Sequence, residues 1–387
     1  MSQFQLNSEQ ILIQDAIRRM VERDIAPILK ARDQDKPLPK EDMLRILQVC
    51  AAQGLTCARV PESAGGAGLP TLVYGLMVEE LPAVVTLATM GQEVTATRIH
   101  YDSTPEQRER FLPDIMAGRR ITCTGTTEPD VGSDPRGVKT RLEDDGPDHY
   151  RLTGRKMWIT NASICDLINV TAAFGKDAHG RGKTTRIIVE RDESPFEARE
   201  IPTLGLRQGH LGEVAFDNCR VPKRNALGAP GDAARVLNLT WLANRPILGL
   251  CAVHLAKRAL DAALRYAGER QQFGKPIAAF QLVQEMLADI SAAVTTSRLL
   301  CYHALSAIDA GEEANHLSAM SKRYSLTACL RAISLAMEVH GAMGISREVG
   351  LEELFRDARM LPIPDGTHQI MTLIEGRELT GIQAYRP

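Results

Sequence analysis

Two stretches of the chain hold residue types that could do chemistry. The first, Thr126-Thr127-Glu128-Pro129-Asp130-Val131-Gly132-Ser133-Asp134, packs small hydroxyl residues, a glycine and acids into nine positions. Such a loop can bring backbone N–H groups and hydroxyls against a polyoxygenated ligand, because glycine permits close approach. Taken alone, a cluster of β-turns accounts for it at least as well. The second, Gly154-Arg155-Lys156-Met157-Trp158-Ile159-Thr160-Asn161, reads as a turn and a short strand carrying one of the two tryptophans. An indole beside a hydroxyl can cover an aromatic cofactor and hydrogen-bond its edge, or simply fill a β core.

Other candidates fail on spacing. Gly180-Arg181-Gly182-Lys183-Thr184 looks like the end of a phosphate-binding loop, but Asp177 stands where the leading glycine is required, so a polar turn is expected. The nine histidines form no His-x-x-x-His pair and find no acid at ligand spacing, so no metal site is expected. The eight cysteines include no Cys-x-x-Cys pair and read as reduced thiols of a cytoplasmic protein.

The elements that must position these residues follow from composition and period. With 387 residues, 44% hydrophobic and 24% charged, the chain can bury a large core, and roughly 150 residues per domain suggests two to three domains. Lys plus Arg is 46 and Asp plus Glu 48, which argues against a dedicated nucleic-acid binder. The first residues lack the basic start and apolar run of a secretory signal, and no apolar run approaches about 18 residues, so no membrane insertion is expected. Apolar residues recur at helical spacing up to about Ala117, β-rich runs follow from Thr122 to about Gly231, and helical spacing then returns. The expected domains are helical over 1–121, β over 122–231 and helical over 232–387.

Further motifs stand in order behind the first two. They are Leu204-Gly205-Leu206-Arg207 with Val214 to Pro222; Arg270-Gln271-Gln272-Phe273-Gly274-Lys275-Pro276-Ile277 with Phe280-Gln281; Arg356-Asp357-Ala358-Arg359; and Asp365-Gly366-Thr367-His368-Gln369-Ile370. Together they resemble the flavin-dependent acyl-CoA dehydrogenase family over about Leu6 to Ile382. The resemblance implies an α+β fold with an N-terminal helical domain, a middle β-barrel-like domain and a C-terminal four-helix bundle. It also implies FAD between the last two, in a homotetramer or at least a dimer that completes each flavin site.

The family's roles carry over residue by residue. Thr126, Thr127, Gly132 and Ser133 would line the flavin, Ser133 also touching the pantetheine arm, and Trp158 and Thr160 would flank the isoalloxazine ring. Arg270, Phe273 and Gln281 would reach the FAD of a neighbouring subunit, near the segment of Glu338 and Ala342, while Thr367 and Gln369 would hold the chain's own. Arg245 matches an arginine near the thioester or CoA arm, and Gly366 would meet the substrate beside the base. The implied reaction removes the α-proton of an acyl thioester, on CoA or a carrier protein, and passes the β-hydride to flavin N5. An electron-transferring flavoprotein is the expected acceptor.

The chain departs from the family where the base belongs. Family members place Glu at the position of Asp365, or at that of Asn244 beside Arg245. Asn accepts no proton at neutral pH, so Asp365 is the carboxylate left at either place, unless it merely opens the Pro364-Asp365-Gly366 turn. One methylene less withdraws the base by something over about 1 Å, worth around 10²-fold unless backbone or substrate moves to meet it. That points to an unusual substrate or an altered reaction, with a flavin oxidase, a carrier-linked desaturase or a non-enzymatic flavin binder as alternatives. Glu338 and Ala342 replace residues the family more often has as Gln and Gly. The C-terminal tail looks most like the glutaryl-CoA branch, which holds a distal carboxylate with an arginine of its first domain. The matching segment, Ala83 to Met90, contains no basic residue and gives no support to a dicarboxylic substrate.

Overall fold

The computed structural model describes residues 6–176, 182–229, 231 and 233–384; the polar turn expected at Gly180 to Thr184 lies partly outside them. Helices α1 to α6 span Ser8–Met20, Ala26–Lys30, Lys40–Ala51, Thr71–Val78, Ala83–Asp102 and Pro105–Met116. Their starts follow local chemistry: Asn7 with Gln10, and Thr104 with Gln107, form reciprocal capping boxes, and Pro105 occupies the first turn where its missing N–H costs nothing.

Strands β1 to β8 follow at Thr122–Gly125, Arg141–Asp144, His149–Thr160, Leu167–Lys176, Gly182–Glu190, Glu197–Glu200, Leu211–Pro222 and Ala226–Leu227. They form one sheet in the order β6-β7-β3-β2-β4-β5-β8, with β1 added parallel to β4 in the register Thr122 to Leu167. The last part holds α7 (Ala233–Glu269), the two-residue strands β9 (Gln271–Gln272) and β10 (Lys275–Pro276), then α8 (Gln281–Asp309), α9 (Asn315–His340), α10 (Leu351–Met360) and α11 (His368–Thr380). Helices α7, α8 and α9 pack on one another, and α5 lies against α7. This is the helical, sheet and helical architecture that the resemblance implies. Among the described residues no helix is long and apolar enough to cross a membrane.

Two partly buried contacts fix the C-terminal helices, one among themselves and one to the sheet part. On α7, Pro246 has no N–H for the carbonyl of Leu242, and the Ser318 hydroxyl of α9 donates to that oxygen at 2.7 Å. On α10, Asp357 accepts the N–H of Leu206 at 2.5 Å, and Gly205 approaches so closely that an added Cβ would lie 2.4 Å from the Arg356 backbone. Burial pushes the Asp357 carboxyl up to about 6. Between its ordinary value and 6 the folded chain holds a proton that the unfolded chain has released. The group therefore opposes folding at neutral pH, and its cost fades as pH falls below 6. Asp357→Asn, which keeps an acceptor for Leu206, is expected to be more stable than wild type at pH 7.5 by up to ~3 kcal/mol. That gap should narrow to about a third by pH 4.5 and vanish only below the carboxyl's ordinary value, and equal gaps in stability at pH 7.5 and pH 4.5 would refute the assignment.

Candidate functional site

The turn between α10 and α11 is made by two left-handed residues in succession, Asp365 at φ +53° and Gly366 at φ +98°. Asp is among the few side chains that tolerate this region. At Gly366 space is limiting too, since an added Cβ would lie 2.5 Å from Met371 Cε. Thr367 then caps α11, accepting the Ile370 N–H at 3.5 Å. Beneath the turn, buried Lys322 of α9 donates to the carbonyls of Pro364 and Gly366, one on each side of Asp365. Burial pushes this ammonium down to about 8.

Asp365 is half-buried and meets α7 through Asn244, whose Nδ2 donates to Asp365 Oδ2 at 3.2 Å. The amide's direction is set from behind, because Asn244 Oδ1 accepts Arg59 Nη2 at 3.1 Å. Arg59 in turn donates from Nε to Glu93 Oε1 at 2.9 Å, forks to the second Glu93 oxygen, and reaches the Thr240 carbonyl at 3.3 Å. Glu93, on α5, is 0% exposed. A relay of fixed polarity thus runs Glu93, Arg59, Asn244, Asp365. Arg245, the next residue on α7, is buried too; its Nη1 donates to Asn315 Oδ1 at 3.3 Å, and its Nε has no partner among the described residues.

The hydroxyl loop and the tryptophan meet on the sheet. Met157 N donates to Thr127 O at 3.0 Å, and the buried Lys156 ammonium donates to Thr126 O at 3.2 Å and to Glu128 Oε1 at 2.8 Å. Glu128 also takes the N–H groups of Lys139 and Thr140, at 2.7 and 2.8 Å, which pins the loop from beneath. A register shift between Lys156 and Ile159 in the β3–β7 pairing is a bulge, and Trp158 within it has φ +62°. The bulge turns the indole out of the strand's alternation and leaves it 52% exposed. Thr126, Thr127 and Thr160 are half-buried and Ser133 is exposed, while the space beside Gly132 is open to 4 Å.

The remaining predicted residues stand apart. Arg270, Phe273 and Gln281 are exposed at the α7–α8 hairpin turn, Phe273 at 92%. Glu338 and Ala342 are exposed at the end of α9, which Tyr266 and His340 join to the end of α7 by stacking at 4.3 Å. Gln369 is exposed in the first turn of α11. Sequence reasoning missed Arg59, Glu93, Arg98 and Lys322. No short-range pattern pointed to them, because α5, which carries Glu93 and Arg98, also holds Gln92, His100, Asp102 and four threonines.

Models of the N-terminal, middle and C-terminal domains of acyl-CoA dehydrogenase match residues 7–119, 123–219 and 234–380. The chain belongs to the acyl-CoA dehydrogenase family. Members of that family are flavoproteins and oxidoreductases. It is 31% identical to a probable acyl-CoA dehydrogenase of Bacillus subtilis over 97% of this chain and 99% of the relative. It is also 31% identical to the glutaryl-CoA dehydrogenase of Desulfococcus multivorans, covering 98% of each. Among solved structures, butyryl-CoA dehydrogenase from Megasphaera elsdenii superposes with TM-score 0.89 at 28% identity, covering 97% of this chain and 99% of that one. A glutaryl-CoA dehydrogenase from Mycobacterium smegmatis in complex with FADH2 gives 0.89 at 27%, covering 98% and 97%. The prolyl acyl carrier protein oxidase AnaB gives 0.89 at 26%, covering 97% and 100%. In this member of the family Asn244 of α7 bonds Asp365 itself and Lys322 of α9 bonds the carbonyls on either side of it, so the turn is held from two helices.

Proposed function

We propose that the chain catalyses FAD-dependent α,β-dehydrogenation of an acyl thioester, with Asp365 taking the α-proton. The observation that carries this reading is a half-buried carboxylate on a left-handed turn, gripped through Asn244 on one side and by Lys322 beneath. Asn244 engages Oδ2, so Oδ1 is the oxygen that receives the proton. Gly366, next in the turn, offers its N–H to the thioester carbonyl as charge develops there. Arg245 directs a buried guanidinium toward the CoA arm.

The residues fit a flavin. The open space at Gly132, the half-exposed indole of Trp158 and the hydroxyls of Thr126, Thr127, Ser133 and Thr160 suit a polyoxygenated chain ending in a planar ring, with Thr367 and Gln369 at the start of α11. FAD bound there supplies a hydride acceptor at N5. Exposed Phe273, Arg270 and Gln281, with the nearby Glu338 and Ala342, fit a role at the flavin of a neighbouring subunit in a homotetramer. An electron-transferring flavoprotein is the proposed acceptor, and the cytoplasm the proposed location. The proposed domains are 1–121, 122–231 and 232–387.

Anaerobic mixing with a panel of acyl-CoA thioesters tests the reading: at least one should bleach the flavin, and bleaching by none would overturn it. The likeness to the carrier-protein oxidase favours a second reading, in which the acyl group is tethered to a carrier and oxygen reoxidises the flavin. Oxygen uptake that requires the tethered substrate would select it. Lys322→Met, which fills the same space without donating, should leave the fold intact and slow flavin reduction about 10-fold, because the carbonyls flanking the base lose their anchor. An unchanged single-turnover rate would show that the turn holds itself.

A further inference from the structure

His210, the residue before β7, is 6% exposed, and both of its ring nitrogens are engaged. Nδ1 meets Glu200 Oε1 at the end of β6, and Nε2 lies 2.9 Å from the Leu38 carbonyl in the loop before α3. Burial alone would raise the Glu200 carboxyl, but the bonds from His210 and Ser163 outweigh it and hold the group below its ordinary value. A carboxylate and a carbonyl can only accept, so the ring satisfies both by carrying a hydrogen on each nitrogen, as an imidazolium. Ser163 completes the group, its hydroxyl donating to the same Glu200 oxygen and lying 3.3 Å from Nδ1. Serine, histidine and an acid are the types of a nucleophilic triad. Here, however, hydroxyl and carboxylate share one ring nitrogen and the other is spent on a backbone carbonyl, so no free base faces the hydroxyl.

What the group holds is the turn over 161–164, which follows directly on Trp158 and Thr160. Thr160 pairs with Leu211 in the β3–β7 register, and Asn161, left-handed at φ +64°, donates its N–H to His210 O at 2.9 Å. Leu211 N adds a bond to Glu200 Oε2 at 3.2 Å, and Gly212 packs so closely that an added Cβ would lie 3.0 Å from Ala162 Cβ. Leu38 N donates to Gln208 O at 3.0 Å, so the loop before α3 and the start of β7 are bonded in both directions. The other charges around the pair are engaged among themselves: Lys40 of α3 with Asp166, Arg207 with Asp35, and Arg199 of β6 with Glu213. Arg191 bonds the carbonyls of Ala162, Ser163 and Cys165, gripping the turn by its oxygens, while His210 and Glu200 grip it by an N–H and a hydroxyl.

Resting on the dehydrogenase reading above, which sets the flavin ring against Trp158 and Thr160, we propose that His210 is a positioning residue for that ring. It bonds Glu200 and the start of β7, Glu200 bonds the Ser163 hydroxyl, and the turn so held sets where the Thr160 hydroxyl and the Trp158 indole stand. The motif read over Leu204 to Arg207 and again over Val214 to Pro222 passes over His210.

The test needs no substrate. FAD is removed from the holoenzyme and titrated back, visible circular dichroism reads the surroundings of the bound ring, and the unfolding midpoint of each protein is measured beside them. His210→Phe keeps a planar ring and removes both bonds, and it should weaken FAD binding about 10-fold, in the range of a lost bond to a charged group, and change the dichroism. His210→Gln, whose amide can still donate to Leu38 O, should recover part of the loss. Ser163→Ala leaves His210 and Glu200 paired and removes their hold on the turn's hydroxyl. It should weaken FAD binding about 3-fold and change the dichroism in the same sense with the midpoint unmoved, which a merely structural histidine would not produce. Wild-type affinity and dichroism in both His210→Phe and Ser163→Ala overturn the proposal and leave the turn to Arg191 and Asn161, as does a lowered midpoint with unchanged dichroism. Should His210→Phe fail to fold, Ser163→Ala decides alone. Bleaching by no thioester would sink the dehydrogenase reading without touching this result, whereas a wild-type chain that takes up no FAD would sink both.

Discussion

Asp365→Asn is expected to slow flavin reduction by an acyl thioester about 10³-fold, within the range that a positioned general base supplies, while flavin content and thioester affinity change little. The substitution preserves shape, so the turn can keep its left-handed conformation, which Asn tolerates as well as Asp, and the Lys322 contacts to Pro364 and Gly366 involve backbone oxygens that do not change. What is lost is an oxygen able to accept a proton. Among the described residues the Asn244 amide hydrogen-bonds this carboxylate, and it donates to it and cannot replace it. A fall in kcat at nearly constant affinity is thus the expected signature, because the proton is transferred in the transition state and not in the bound complex. Stopped-flow reduction with the best thioester of the panel, beside the visible spectrum of the bound flavin, reads both quantities. A variant reduced at the wild-type rate would exclude Asp365 as the base and return the turn to a purely structural role.

The parts of this arrangement that sequence could reveal are local ones. The capping box at Thr104 and the break at Gln271 to Pro276 are short-range signals, and each marks an element boundary in the structure. Trp158 was visible as a residue, but its outward aim depends on a bulge against β7, and the period of β3 alone does not encode a slip in pairing with a strand some fifty residues later. The relay behind Asp365 is more distant still. Arg59 and Asn244 are separated by 185 positions, and their contact depends on how the loop before Val60 comes to rest against α7. Charged residues in a helix usually mark its solvated face, so Glu93 and Arg98 would be placed outside by pattern alone. They lie inside because α5 is buried nearly all round and each finds a partner there: Arg59 for Glu93, Thr240 for Arg98.

Arg59→Met should destabilise the protein by about 3–5 kcal/mol, the cost of leaving one member of a desolvated ion pair without the other. Glu93 is 0% exposed and receives from Arg59 the Nε and Nη2 donors, with the Arg59 backbone N–H at 3.1 Å and the Thr97 hydroxyl at 2.9 Å as its further partners. Removing the guanidinium leaves a buried carboxylate with two neutral donors. The double variant Arg59→Met with Glu93→Gln should recover most of the loss, because the remaining groups are uncharged and the Gln oxygen can still accept from Thr97. The comparison also separates stability from positioning. Both variants free Asn244 Oδ1, so the amide can rotate and present its oxygen to Asp365. Flavin reduction should therefore stay slow in the stable double variant even though its unfolding midpoint is restored. If Arg59→Met costs less than about 1 kcal/mol, the pair is not desolvated as described. If the double variant reduces flavin at the wild-type rate, Asn244 keeps its orientation without Arg59, and the relay ends at that amide.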